Sequence, residues 1–381
     1  MTNTRPWWDE FRAKMPVVEK WAYFDHAGVA PLPQPTADVL IDFARDNAAN
    51  GVADWNRWRS TVETARGLGA RLLGADRDEI AVIHNTTEGI NFVAEGYPWQ
   101  PGDNVVTLSS EFPSNLYPWM NLASRGVEAR LVAVKEERVD PAAIEKACDS
   151  RTRVLAVSWV GYLTGWRNDL LQLAEIAKRH GAFFFVDVIQ GLGMFPLDVR
   201  DVPVDGLAAD GHKWLLGPEG AGLFYLRKER FGQLRPIGVG WNSVRHSGDF
   251  TNTALDLKTD ASRYEGGSHC LAAIAGLAKS LELLVGIGRE TISQRLLEVT
   301  DRLCERLART GLTVASCRDG ERRSGIVAFD VPGRNPLEVK KECKARGVIV
   351  NARGGRMRAS PHVYGNDADI DRLIDAVTAS G

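Results

Sequence analysis

Between residues 79 and 226 short apolar runs alternate with stretches of helical periodicity. Residues 79–84, 104–108, 127–134, 153–159, 183–187, 206–209 and 221–226 are rich in Val, Ile, Leu, Phe and Ala and are bounded by polar or glycine-rich segments. Runs of that length and continuity predict buried strands. Residues 35–47, 56–73, 141–147 and 169–180 carry apolar positions at helical spacing and predict helices. Strand and helix at short spacing imply βαβ units, hence an α/β fold with a mostly parallel sheet and helices on both faces. Beyond residue 227 the pattern changes. A glycine-rich loop at 235–242 precedes helices at 271–284 and 290–310, a strand at 325–330, a helix at 336–346, short strands at 348–350 and 356–360, and a last helix from Asp367. The expected organisation is an N-terminal arm (1–22), a large α/β domain (23–255) and a smaller α+β domain (256–381).

Ligands of such folds bind beyond the carboxyl ends of the strands, and the chemically capable residues of this chain fall there. The run Phe183-Phe184-Phe185-Val186 ends in Asp187, with Gln190 three residues on. The run 206–209 leads into Asp210-Gly211-His212-Lys213, which opens a glycine-rich turn to the next strand. The run 79–84 is followed by Asn85-Thr86-Thr87, where a helix begins. Helix N-termini present free N–H groups and suit a phosphate. A strand-end carboxylate ahead of a lysine on such a turn is what pyridoxal phosphate chemistry requires. The lysine forms the Schiff base and the carboxylate keeps the pyridine nitrogen protonated.

The joint pattern Asp187…Gln190…His212-Lys213, followed by Arg358-Ala359-Ser360-Pro361-His362, resembles the class V aminotransferase family. That family includes cysteine desulfurases, epimerase-like members and C–S lyases, and the resemblance runs from about Tyr23 to the C-terminus. It implies fold type I, the aspartate aminotransferase-like architecture, with pyridoxal 5′-phosphate on Lys213. It further implies that Thr86, Thr87 and His212 lie at the cofactor phosphate, that Phe112 stacks on the ring, and that Gln190 meets the ring oxygen. Ser268 is expected to reach the phosphate of a neighbouring subunit, which implies a homodimer. Arg358 is expected to hold the substrate carboxylate, with Arg356 and Arg353 as alternatives. Strand alternation puts Arg356, Arg358 and Ser360 on one face. His26, in the turn-rich loop 23–33, is the residue there expected to touch substrate.

Four departures bear on the reaction. Desulfurases usually carry histidine where Phe112 stands, asparagine near Tyr162 and serine at Asp210. Phenylalanine stacks but moves no proton, and a carboxylate beside a phosphate is unfavourable, so Asp210 is expected to point elsewhere or to pair with an arginine. Desulfurases also need a cysteine shortly before the arginine motif, and residues 351–357 contain none. C–S lyase, epimerase or aminotransferase chemistry at the α-carbon of an amino acid is therefore ranked above persulfide-forming desulfuration. A binding protein that kept the fold is a further alternative, to be separated by product release.

Composition narrows the rest. A net charge of −2 gives no electrostatic case for nucleic acid or an anionic membrane, and no apolar run reaches the length of a membrane span. The N-terminus lacks the apolar core of a signal peptide. Five cysteines, scattered and without a CxxC pair, suggest neither disulfides nor a metal site, and the reducing cytoplasm is the expected location. A nicotinamide dehydrogenase lacks its GxGxxG turn here.

Overall fold

The structure, a computed structural model, describes residues 6–135 and 138–379; the first five residues of the expected arm lie outside them. Seven strands build the main sheet: β1 (Ile80–Ile83), β2 (Asn104–Leu108), β3 (Glu128–Val132), β4 (Thr152–Ser158), β5 (Phe183–Asp187), β6 (Gly206–Asp210) and β7 (Gly222–Leu226). Their spatial order is β1-β7-β6-β5-β4-β2-β3. Only β7 runs against the others, antiparallel to both β1 and β6. The apolar runs are continuous because both faces of the sheet are covered. Along β5, Phe184 and Val186 enter one apolar cluster, while Phe183 and Phe185 enter the cluster on the opposite face. The edge strand β3 instead exposes Glu128 and carries Arg130, charges that discourage pairing with a foreign strand.

Six helices matter for the site: α1 (Gln34–Asn50), α2 (Trp55–Leu73), α3 (Thr86–Gly96), α4 (Leu170–Arg179), α5 (Leu271–Ile287) and α6 (Arg289–Arg309). Helix α3 is pressed onto the sheet at Gly89, where an added Cβ would stand 2.6 Å from the Cβ of Ala208 on β6. That approach brings the start of α3 against the end of β6. Helix α5, although it follows residue 255, packs on α1 and α2 and shares the first apolar cluster. No single helix among the described residues is long and apolar enough to cross a membrane.

A second, antiparallel sheet has the order β10-β11-β9-β8, from β8 (Thr313–Val314), β9 (Val327–Asp330), β10 (Asn351–Arg353) and β11 (Arg356–Ala359). It lies on its own apolar cluster with Leu303, Leu307, Val339 and Leu373. Residues 22–24 join this unit. Ala22 and Tyr23 pair in parallel with Val348 and Ile349, and Phe24 exchanges backbone bonds with Ile349 and Ser360. The loop that begins at Asp25 is thereby strung between the two sheets.

Candidate active site

A cleft of about 270 Å³ opens at the carboxyl end of the sheet, and Thr86, Thr87, Phe112, Asp187, Gln190, His212, Lys213 and Arg358 all line it. Each is placed by a specific piece of backbone. Asp187 is the last residue of β5, paired in register between Ser158 of β4 and Ala208 of β6. Its Oδ1 accepts the N–H of Ile189 at 3.0 Å. Burial raises its pKa to about 6, against the lowering effects of the Ile189 N–H and of the Lys213 charge. A buried carboxylate so poorly compensated suits a cationic partner on the cleft side.

Lys213 sits in the compact 211–217 loop, closed by the N–H of Gly217 on the Gly211 carbonyl at 2.9 Å. Leu216 in that loop has φ 56°, the one non-glycine residue in the left-handed region among the described residues. Such a conformation costs about 1–2 kcal/mol and persists where the surroundings fix it. Here the N–H of Leu216 donates to the Lys213 carbonyl at 3.0 Å. Ser280 of α5 donates to the Leu216 carbonyl at 2.7 Å and exchanges a 2.8 Å bond with Thr36 of α1. The lysine amine lies 5.6 Å from the centre of the Phe112 ring. Burial lowers its pKa to about 8; Asp187 opposes that shift, and Arg358 and Arg353 reinforce it.

Gln190 is clamped at both ends of its amide. Trp214 Nε1 donates to Oε1 at 2.8 Å, and Nε2 donates to the Ala27 carbonyl at 2.9 Å. Thr86 is not the helix cap. Asn85 caps α3 by accepting the N–H of Glu88 at 2.9 Å, while Thr86 Oγ1 accepts the N–H of Asp210 at 2.9 Å. Thr87 donates to Ser114 Oγ at 2.9 Å. Asp210, expected to point elsewhere or to pair with an arginine, lines the cleft with its Oδ2 3.0 Å from His212 Nδ1.

Phe112 stands at the mouth, 42% exposed, edge-on to Tyr162 at 5.3 Å between ring centres. The residue before it, Glu111, is buried and was not anticipated from sequence. Its two oxygens accept the N–H of Ser158 at 2.7 Å and the Ser158 hydroxyl. Burial is the main cause raising its pKa to about 7, and the Asp187 charge adds to it. Glu111 thus ties the loop carrying Phe112 to the strand beside Asp187. Nothing local marks it, because its partner lies 47 residues away.

Arg358, on β11, is buried. Its Nη1 donates to the Tyr162 carbonyl at 2.7 Å and its Nη2 to Asp25 Oδ1 at 3.2 Å. Asp25 is completed by Asn351, which donates to Oδ2 at 2.7 Å. Arg356 sits across the strand pair from Asp330 and donates to it at 3.0 Å; it does not line the cleft, whereas Arg353 does.

One expected residue lies elsewhere. His26 is fully buried and does not reach the cleft, which its neighbours Ala27 and Gly28 line. A carbonyl only accepts, so the 2.9 Å contact with the Ser360 oxygen puts the proton on Nδ1; Nε2 then accepts from the Tyr364 hydroxyl at 2.7 Å. Burial first, then His362, lowers its pKa. The turn-rich sequence read as a mouth, but its histidine faces an aromatic cluster with Trp214 and His362. Ser268 is exposed and outside the lining of this chain's cleft. It follows Glu265, which is held by Arg66 at 2.7 and 3.0 Å.

The family model Aminotransferase class-V matches residues 22–373, and the chain belongs to that family. It is 29% identical over 388 residues to a probable cysteine desulfurase of Methanothermobacter thermautotrophicus, covering 96% of each chain. The solved structure of the cysteine desulfurase CsdA from Escherichia coli matches with a TM-score of 0.86 at 27% identity, over 97% of this chain and 96% of that one. A cystine C–S lyase, C-DES, matches with a TM-score of 0.89 over 95% and 98% of the two chains; at 22% identity it shows the shared fold alone. This is a pyridoxal phosphate-dependent enzyme of fold type I.

The residues present fit that cofactor. Asp187 and Lys213 face one cleft, and both are pushed by burial toward their neutral forms. A ligand with a protonated ring nitrogen and a carbonyl carbon answers both. The start of α3 and His212 stand at the same cleft for an anionic group.

Proposed function

We propose that the enzyme acts at the α-carbon of an α-amino acid without a cysteine nucleophile, as a C–S lyase, epimerase or aminotransferase. One observation carries the second half of that statement. The segment before Arg358 is a tight hairpin, β10 to β11, joined by Gly354-Gly355 alone, both at positive φ of 57° and 78°. Two such residues form a primed turn and leave no loop on which a thiol travels. None of the five cysteines lines the cleft, and Cys148 and Cys343 are buried.

When bound, pyridoxal phosphate supplies an electron sink for charge that develops at the substrate α-carbon. The chain's own groups do the rest. Asp187 holds the ring nitrogen protonated, Phe112 covers the ring, and Thr86, Thr87 and His212 meet the phosphate. Lys213 Nζ would hold the cofactor and would be the base placed to take and return the α-proton. Arg358 orients the substrate carboxylate. Phe112, replacing a proton-transferring side chain, leaves Lys213 as the base.

The test is a panel of amino acids, following α-proton exchange, sulfide, pyruvate, keto acid and racemised product. The double variant Cys270→Ala/Cys343→Ala is expected to turn over at the wild-type rate. Loss of activity with retained cofactor and fold would instead support a second reading, cysteine desulfuration, which the similarity to the probable cysteine desulfurase favours.

The working unit in this reading is a homodimer, with Ser268 serving the partner's phosphate. Light scattering should give twice the 41.9 kDa chain mass. A fully active species of one chain mass would exclude the composite site.

A further inference from the structure

We propose that the substrate carries a second anionic group on its side chain, and that Arg353 selects it. The proposal rests on the α-amino-acid reading above. The β10–β11 hairpin presents three arginines, and two are committed. Arg356 is paired with Asp330 and Arg358 with Asp25. Among the described residues no carboxylate pairs with Arg353, yet Arg353 lines the cleft together with Arg358 and Lys213. Asp25, the acid at that end, is taken up by Arg358 and Asn351.

Three features separate Arg353 from an ordinary solvated surface arginine. It stands on a strand, paired with Arg356 in register, not on a mobile loop. The adjoining turn is only Gly354-Gly355, and Gly354 runs beside Leu163, where an added Cβ would stand 3.3 Å from its side chain. The Arg353 charge is also felt at the Lys213 amine, so it acts on the interior of the cleft and not only on solvent.

The charge balance then points to a class of ligand. Lys213 is offset by Asp187 and Asp210, which line the same cleft, and Arg358 by Asp25 behind it, which leaves Arg353 as the cleft arginine with no carboxylate among the described residues. Arg353 is exposed, so with a neutral substrate side chain its guanidinium has solvent as its only counterpart. A side chain ending in a carboxylate or sulfinate supplies a counter-charge, in the bidentate geometry a guanidinium favours. A strand-borne arginine without a carboxylate partner, at the rim of a site that already holds an α-carboxylate, is thus a gauge of side-chain charge.

The experiment compares succinate with propionate, two amine-free probes that differ by one carboxylate, by calorimetry on the cofactor-loaded enzyme. Succinate is expected to bind about two- to five-fold tighter, the range for an exposed ion pair. Arg353→Gln should bring that ratio close to one. In parallel, glutamate and aspartate should exchange their α-protons faster than glutamine and asparagine, and Arg353→Gln should level the two pairs. Equal binding of the two probes to the wild type, or a preference that survives Arg353→Gln, overturns the role of Arg353. So does α-proton exchange that ignores side-chain charge. If no amino acid exchanges its α-proton while the succinate preference still depends on Arg353, the α-carbon reading fails and the anion site stands.

Discussion

Replacing Lys213 by alanine is expected to lower α-proton exchange by roughly 10²–10⁴-fold, the share that a positioned base supplies, and to abolish the covalent cofactor adduct. In the wild type, borohydride reduction followed by peptide mapping should place the pyridoxyl group on Lys213. An adduct on another lysine would remove the centre of the proposal. The expected size of the effect follows from the state of the amine. Burial pulls its pKa to about 8, with Asp187 opposing and Arg358 and Arg353 assisting. The shift is downward, so the charged form is the one disfavoured, and the neutral, nucleophilic amine prevails above pH 8. At that pH an ordinary lysine is neutral in only roughly one molecule of three hundred. Reductive methylation of the cofactor-free protein should therefore label Lys213 with a midpoint near pH 8, while exposed lysines follow an ordinary lysine titration. A Lys213 midpoint no lower than theirs would mean that the pocket does not desolvate the amine.

The positions at strand ends were readable because a parallel sheet buried on both faces writes its strands as unbroken apolar runs, and the first polar residue after each run falls at the cleft. Asp187 and the stretch Asn85-Thr86-Thr87 follow that rule, Lys213 comes from the glycine-rich turn after β6, and Phe112 is implied by the family resemblance. What escaped was set by partners far apart in sequence. His26 has the composition of a mouth residue, but Ser360 and Tyr364 claim both ring nitrogens from more than 330 positions away. Glu111 carries no local mark, because the Ser158 backbone that closes on it lies 47 residues away. Periodicity correctly placed Arg356 and Arg358 on one face. It carried no information on Asp330, whose place across the strand draws Arg356 away, or on the hairpin geometry that brings Arg353 back to the cleft.

Arg358→Ala is expected to raise the substrate KM by roughly thirty- to several-thousand-fold, corresponding to about 2–5 kcal/mol for a desolvated charge contact. The cofactor absorbance should be retained, because Arg358 donates to the Tyr162 carbonyl and to Asp25, neither of which is assigned to ring or phosphate. Part of the loss will not come from the substrate. Asp25 is held by Arg358 and Asn351, and burial already raises its pKa against their pull. Removing the guanidinium leaves that carboxylate without its cation, which is costly in a partly buried place. The double variant Asp25→Asn/Arg358→Ala separates the two effects. It keeps the site neutral, so stability should recover while KM stays high. Recovery of KM in the double variant would show that Arg358 serves to neutralise Asp25 and not to hold the substrate. Arg356→Ala, which breaks only the partly exposed pair with Asp330, is expected to change KM by less than about five-fold. If Arg356→Ala gave the large effect and Arg358→Ala the small one, the carboxylate site would have to move along the hairpin, away from the Tyr162 carbonyl and out of the cleft that Lys213 faces.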